Sequence, residues 1–454
     1  MKTILLFAFA GVLSVRGAAE LPGLVCDTSV VSKATGFFRV EQDKSGVWRF
    51  VTPGGHGFFL AGNNGPSQMA GDYCPARGYS LFTRTLEAKY GKNRRQWAKD
   101  SAKRLLSWNF NTVSTWNRPV DGLIGTGLAH ARVVQLGDSF STVGTNGETR
   151  LVLRFPNVFH PDFAAHCRRK ATEICGRERD NPWIIGWYTD NEIVWRGTTP
   201  PDTWTETGLY NAVTELPPNH TGRQALDRFL RDRRLAVSND VPMSVKMDFV
   251  RLIAREYYRI TTTAVREAAP NHLLLGCRFA GFMSTPAIAW EEGGKWNDVM
   301  SVNTYPPADL KQGVIREGFK TGHRPIQMRI RDSYALARRP IIITEWSYPA
   351  LDTECPCKVG AGQRVPTQKE RAASSALFAK TMLSIPEIVG YVHFRWVDEP
   401  PMGRWKMSGG EDCNYGLVNE LDEPYALLTQ AFKEVQGRMY EIRAEASRAG
   451  AVLR

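Results

Sequence analysis

Residues 181–195 read NPWIIGWYTDNEIVW. Asn181-Pro182 is a breaker pair, and the apolar and aromatic run from Trp183 to Tyr188 behind it reads as a strand buried on both faces. The run ends in Thr189-Asp190-Asn191-Glu192, so two carboxyls and an amide stand where a buried strand leaves the core. Such groups need pairing, hydrogen bonding or a use. Far downstream, Pro340-Ile341-Ile342-Ile343-Thr344-Glu345-Trp346 repeats the pattern, a β-branched run closing on glutamate. Two parallel-type strands that both finish in Glu fit the fourth and seventh strands of a (β/α)8 barrel, where residues at the C-terminal strand ends do the chemistry.

Outward from these two runs the chain supplies the other six strands. Phe58 to Asn63 is expected as the first, Phe110 to Ser114 the second, and Ala131 to Leu136 a weaker third. Leu273 to Arg278 is the fifth, Val299 to Tyr305 the sixth and Val389 to Trp396 the eighth. Helices are expected between them. Arg94–Ser107 carries Trp97, Ala98, Ala102 and Leu105 on one face, and a further helix runs from Pro161 through Cys175. A long amphipathic helix holds Phe249, Leu252, Ile253, Tyr257, Ile260 and Ala264 at helical spacing, and Thr367-Gln368-Lys369-Glu370 is a capping box. A last helix is expected from Pro424 to about Arg443. Trp195 to Asn219 reads as an irregular segment whose Trp204 and Tyr210 would line a cleft. The fold class is α/β: a (β/α)8 TIM barrel with a short N-terminal β-hairpin or sheet and long βα loops.

The expected organisation is a signal peptide over 1–20, N-terminal strands closing the barrel floor over 21–57, the catalytic barrel over 58–446 and a tail over 447–454. The leader rests on Lys2, the apolar run Ile4 to Val15 and the small residues Gly17-Ala18-Ala19. It is too short to span a bilayer, and the expected location is secreted or periplasmic, with no membrane partner. The formal charge of +12 falls to +10 without Lys2 and Arg16. A basic exported chain attracts acidic polymers. The other reading is charge spread over solvated helix faces, since the densest run, Lys92 to Arg104, lies on an outer helix. No motif supports a nucleic-acid partner. Eight cysteines in an exported chain allow disulfides, and one or two are expected among Cys74, Cys355, Cys357 and Cys413 on the catalytic face, with the pairing open. The few, scattered histidines suggest no metal site, and no cofactor is needed.

Cleavage of a glycosidic bond with retention uses two carboxyls, one to protonate the leaving oxygen and one to attack the anomeric carbon. Glu192 and Glu345 are the candidates. Asn191 next to Glu192 offers an amide to a sugar hydroxyl, which assigns Glu192 as acid/base. Tyr305 stands at the end of the sixth strand, within reach of Glu345. A hydrogen bond from its hydroxyl would keep Glu345 ionised and oriented, as a nucleophile requires. Trp396 is a candidate to stack on a sugar face. Asn63, Trp116, Asn303, Trp346, Arg278 and Asp398 complete the candidate substrate contacts, and Asp190 is either a supporting partner or a turn cap.

The phrases GWYTDNE, SVNTYP, IIITEW and YVHFRWVDEPP, with Asn414-Tyr415-Gly416-Leu417-Val418 after them, resemble the large clan of (β/α)8 retaining glycoside hydrolases. FFRVEQDKSGVWRFVTPGGHGFF before the barrel and Phe155-Pro156-Asn157-Val158-Phe159-His160-Pro161 are similar to its agarase-like branch. The likeness runs from about Phe37 to Val435. It implies Glu192 as acid/base, Glu345 as nucleophile, and Asn191, Tyr305 and Trp396 around the sugar at the cleavage point. It also implies a polysaccharide or oligosaccharide partner, most simply an agar-type or related sulfated galactan. The barrel region starts soon after the leader, with no room for the accessory carbohydrate-binding domain some agarases carry. The alternatives are a β-galactosidase or β-mannanase of the same clan, or a non-catalytic glycan-binding barrel.

Overall fold

The structure, a computed structural model, describes residues 19–66, 70–116, 122–144, 146–197, 205–238, 240–318, 324–405 and 410–452. The expected leader and Trp204 lie outside these residues, apart from its last two positions in the case of the leader. Eight parallel strands close into one barrel: β1 Leu60–Asn64, β2 Thr112–Trp116, β3 Ala129–Val133, β4 Ile184–Asn191, β5 Leu273–Phe279, β6 Met300–Asn303, β7 Ile341–Glu345 and β8 Ile388–His393. Neighbours around the ring follow chain order, with β8 pairing back onto β1.

Period-two alternation divides each strand between two cores. Leu60, Ile185, Leu275, Val299, Ile342 and Val389 fill the barrel interior. Ala61, Val113, Leu274, Val302, Ile343 and Tyr391 face the surrounding helices. The strands read as continuous apolar runs because both faces are covered.

The floor is closed by a four-stranded antiparallel sheet built from 27–31, 39–42, 48–51 and 56–58. Its Phe38, Phe50 and Phe58 join the interior core directly. The Trp48 amide donates to Pro386 O at 2.9 Å, tying the sheet to the turn that enters β8.

The helix Arg94–Ser107 has the expected bounds, and Met243–Ala268 buries Phe249, Ile253, Tyr257 and Ala264. Thr367 caps its helix in both directions, accepting from the Glu370 amide and donating to the Glu370 carboxylate at 3.0 Å.

Two expectations are corrected. The segment before Asn219 is not irregular throughout: Gly208–Thr214 is helical, with Leu209, Tyr210 and Val213 buried. Tyr210 packs on Phe249 and donates to Ser238 O, so it lines no cleft. The final helix is two, Ala426–Gly437 and Met439–Val452, breaking at Gly437-Arg438 where glycine's low helix propensity permits a turn. The second crosses under the barrel, where Arg443 donates to Trp48 O at 2.7 Å, so residues 447–452 are helical rather than a tail. Among the described residues no helix is long and apolar enough to cross a membrane.

Candidate active site

The register of β4 through β7 assembles the site. Asn191 pairs with Arg278, Arg278 with Ser301, and Asn303 with Glu345, so four strand ends stand side by side. Glu192 follows β4 in a left-handed backbone conformation, φ 51°, uncommon for a residue with a β-carbon. Its amide still donates to Arg278 O at 2.9 Å, which anchors the turn that carries the carboxylate. Such outliers persist where the surroundings over-determine them, and they cluster at working sites.

Two residues of the sixth strand region, Asn303 and Tyr305, each hold one of the two glutamates. Asn303 Nδ2 donates to Glu192 Oε1 at 2.8 Å and to Asn191 Oδ1 at 3.1 Å, while its Oδ1 accepts from Thr344 Oγ1 at 2.8 Å. That last bond fixes which way the amide faces. Tyr305 donates to Glu345 Oε2 at 2.9 Å, and Arg278 Nη2 donates to Glu345 Oε1 at 2.6 Å. Both Glu345 oxygens are therefore held by donors that favour an ionised acceptor.

Burial pushes the Glu345 carboxyl up to about 7, the Arg278 guanidinium pulls it down, the Glu192 carboxylate raises it and the Tyr305 hydroxyl lowers it again. The ion pair is nearly dry, with Arg278 at 1% and Glu345 at 9% side-chain exposure. Asp190 braces the same strand end from behind. Its oxygens accept from the Gly137 and Asp138 amides, both at 2.9 Å, and from Tyr257 Oη at 2.7 Å. It supports the site and does not enter it. Burial raises its carboxyl to about 6.

Glu192, Glu345, Asn191, Asn303, Tyr305 and Arg278 thus come together. Four other expected contacts do not. Asn63 lies on the outer face of β1, fully buried, with Nδ2 against His393. Its neighbour Asn64 is the strand-end amide on the inner side, donating to Thr344 O at 3.0 Å. Trp346 is fully buried and stacks on Phe378 with centroids 3.9 Å apart. Trp396 is 3% exposed, packed 6.1 Å from Trp108 with Arg104 over its ring. Asp398 accepts from the Gly416 amide and Tyr425 Oη, pinning the loop after β8. Trp116 ends β2, but its side chain lies outside the described residues.

The aromatic that faces the site after β8 is Phe394, edge-on to Tyr305 at 6.5 Å and to Tyr415 at 5.5 Å. Sequence reading passed over it for the larger Trp396. Counting alternate residues inward from Val392 would have selected it.

Trp346→Ala is expected to lower stability by about 3–5 kcal/mol, since it empties a buried stack. Trp346→Phe should keep the activity, because the ring never reaches the cleft. Thermal unfolding and the initial rate of each variant check both statements.

All eight cysteines are free thiols, which corrects the expected disulfides. Cys355, Cys357 and Cys413 do gather, around Tyr415 and Phe394, with Cys357 Sγ donating to Cys355 O at 3.5 Å and Cys413 Sγ to Val359 O at 3.3 Å. Cys74 sits apart, its backbone amide donating to Tyr79 O at 3.2 Å. Glu20, Cys26 and His56 bring potential metal ligands within 4.8 Å of one another on the floor sheet, remote from the glutamates in the fold. In the structure Glu20 instead engages the Thr52 hydroxyl and His56 Nδ1.

No known family's sequence profile matches the chain. It is 23% identical over 498 residues to β-agarase A of Vibrio sp. (strain JT0107), covering 91% of this chain and 47% of that protein. It is 24% identical over 404 residues to β-agarase B of the same organism, covering 80% of this chain and 39% of that one. The chain therefore spans less than half the length of these relatives. A solved exo-β-agarase superposes with a TM-score of 0.76 at 19% identity, over 94% of this chain and 68% of that one. The shared fold is the barrel with its N-terminal sheet.

Proposed function

We propose that the chain is an exported retaining β-glycoside hydrolase that cleaves an agar-type galactan. The observation that carries the reaction class is the pair of glutamates at the ends of β4 and β7, held by Asn303 and by Tyr305 respectively. The similarity to two β-agarases supports the substrate class. Export rests on the leader-like first twenty residues.

Glu345, ionised against Arg278, attacks the anomeric carbon. Glu192 donates its proton to the glycosidic oxygen as the C–O bond breaks, and a glycosyl ester on Glu345 results. Glu192, now a base, takes a proton from water. The water oxygen bonds the anomeric carbon and Glu345 departs ionised. Asn191 Oδ1 is engaged by Asn303, which leaves its Nδ2 to hold a hydroxyl of the reacting sugar. A hydrogen bond there that strengthens as positive charge builds on the ring lowers the barrier.

The test is a panel of agar, porphyran, carrageenan, mannan and aryl β-galactosides. Hydrolysis of agar with β-configured first product supports the reading. Cleavage of mannan alone overturns the substrate, and binding without cleavage overturns the chemistry. In the same panel Glu192→Gln should lose about 10²–10⁴-fold on the polymer, as expected for loss of a general acid. It should lose far less in the first step on an aryl glycoside whose leaving group needs no proton. Equal losses on both substrates would remove Glu192 from the acid role.

A further inference from the structure

The cleft is not symmetrical about the two glutamates. A hollow of about 460 Å³ opens on the Glu192 side, lined by Glu192, Asn303 and Tyr305, by the loop after β5 and by Glu317 and Arg329. Its size falls in the usual range for ligand sites, roughly 300–1,000 Å³. Glu345 is not part of its lining. The loop after β5 is braced from within: Ser284 and Thr285 hydroxyls both donate to Gly281 O, at 3.2 and 2.8 Å. Phe282 stacks on Trp290 with planes 7° apart, which holds the loop against the barrel. Met283 next to it is 61% exposed, a large apolar side chain with no core to fill. Phe282, Met283 and Arg329 also line an adjoining hollow of about 220 Å³, so the groove continues away from Glu192 across Met283.

The charges along this groove balance. Glu317 accepts from Arg324 at 2.7 Å and Arg329 at 3.1 Å, and Arg324 also donates to Asp332 at 2.8 Å. Arg196 pairs with Glu206 at 2.7 Å in the adjoining hollow, so among the described residues three carboxylates and three guanidinia leave no excess cation to draw a sulfate ester. Ala280, Met283 and Ile326 add apolar lining instead.

From this the geometry points to a leaving-group subsite for an uncharged sugar, whose C–H face lies on the loop after β5 and above all on Met283. The side follows from the acid: the group that protonates the departing oxygen must stand beside the departing sugar. The inference rests on Glu192 being that acid. The apolar lining and the balanced ion pairs then select a neutral unit over a sulfated one.

The test uses Met283→Asp and Met283→Leu in the full chain, with thermal unfolding to show that both fold. On neutral agar oligosaccharides extending beyond the cleaved bond, Met283→Asp should raise KM about tenfold, the scale at which loss of an apolar contact shows in a pocket. Met283→Leu should stay near wild type. With an activated aryl β-galactoside, where breakdown of the glycosyl-enzyme limits turnover, kcat should be unchanged in both variants, because the leaving group has already departed. An oligosaccharide KM in Met283→Asp equal to wild type overturns the subsite. Tighter binding of sulfated than of neutral oligosaccharide, lost in Arg329→Gln, overturns the choice of a neutral sugar. A wild type that cleaves no glycan overturns the proposed function and this inference with it, whereas cleavage indifferent to residue 283 overturns the inference alone.

Discussion

Replacing Glu345 by Gln should reduce kcat on the polymer by on the order of 10⁵-fold, the scale seen when an enzyme loses its nucleophile. The amide keeps the volume, and its oxygen can still accept from Arg278 while its NH2 donates to the Tyr305 hydroxyl oxygen, so the fold should survive and substrate should still bind. A stronger check uses Glu345→Ala with azide and an activated aryl β-galactoside. Azide fits the space vacated beneath the anomeric carbon and should give the α-glycosyl azide. With Glu192→Ala it should instead trap the glycosyl-enzyme from the other face and give the β-azide. Identical products from the two variants would overturn the division of roles, and no effect of azide on either would overturn a covalent intermediate.

Arg278→Met should damage both stability and activity, although Arg278 has no reacting atom. It is fully buried, and its Nη2 holds Glu345 Oε1 at 2.6 Å and Thr344 O at 2.9 Å. Removing one partner of a buried pair leaves the other charge uncompensated, at a cost of about 3–5 kcal/mol. The sign on activity follows from the same contact. Burial already lifts Glu345 to about 7 against the downward pull of Arg278. Without the guanidinium the carboxyl rises further, so a higher pH is needed to ionise the nucleophile. In wild type kcat/KM should fall as pH drops below about 7, the side on which Glu345 takes up its proton. In Arg278→Met that acid limb should move toward alkaline pH, with a maximum lowered by roughly 10²–10³-fold, as for loss of a group that stabilises charge at a reaction centre. An unmoved acid limb would mean that Arg278 serves packing alone.

Arg278 also shows how far sequence reading reached. Its place at the end of the fifth strand was legible from LLLGCR after Pro270-Asn271-His272. Its partner was not, because Glu345 lies 67 residues away and meets it only through the pairing of β5, β6 and β7. Tyr305 was legible with its partner, since closing a barrel of this strand order forces the ends of β6 and β7 together. The helix Gly208–Thr214 was hidden by the Thr, Pro and Gly around it, and its four buried residues were too short a run to show a period.

By itself the sequence determined the eight strands, their order and the glutamates that end the fourth and seventh. Those are local properties: breaker residues, continuous apolar runs and helical spacing act within a dozen neighbours. Only the tertiary structure decided which residue at each strand end faces the cleft. Irregular register in β4, between Tyr188 and Asn191, and the left-handed turn at Glu192 interrupt the alternation. A displacement of one residue moves a side chain to the opposite face. On β1 and β8, whose pairing runs without a shift, plain alternation turns Asn64 and Phe394 inward, while Asn63, Trp346 and Trp396 serve the helix-facing core. Side-chain type alone gives no sign of which face wins, because both faces of a closed barrel are buried.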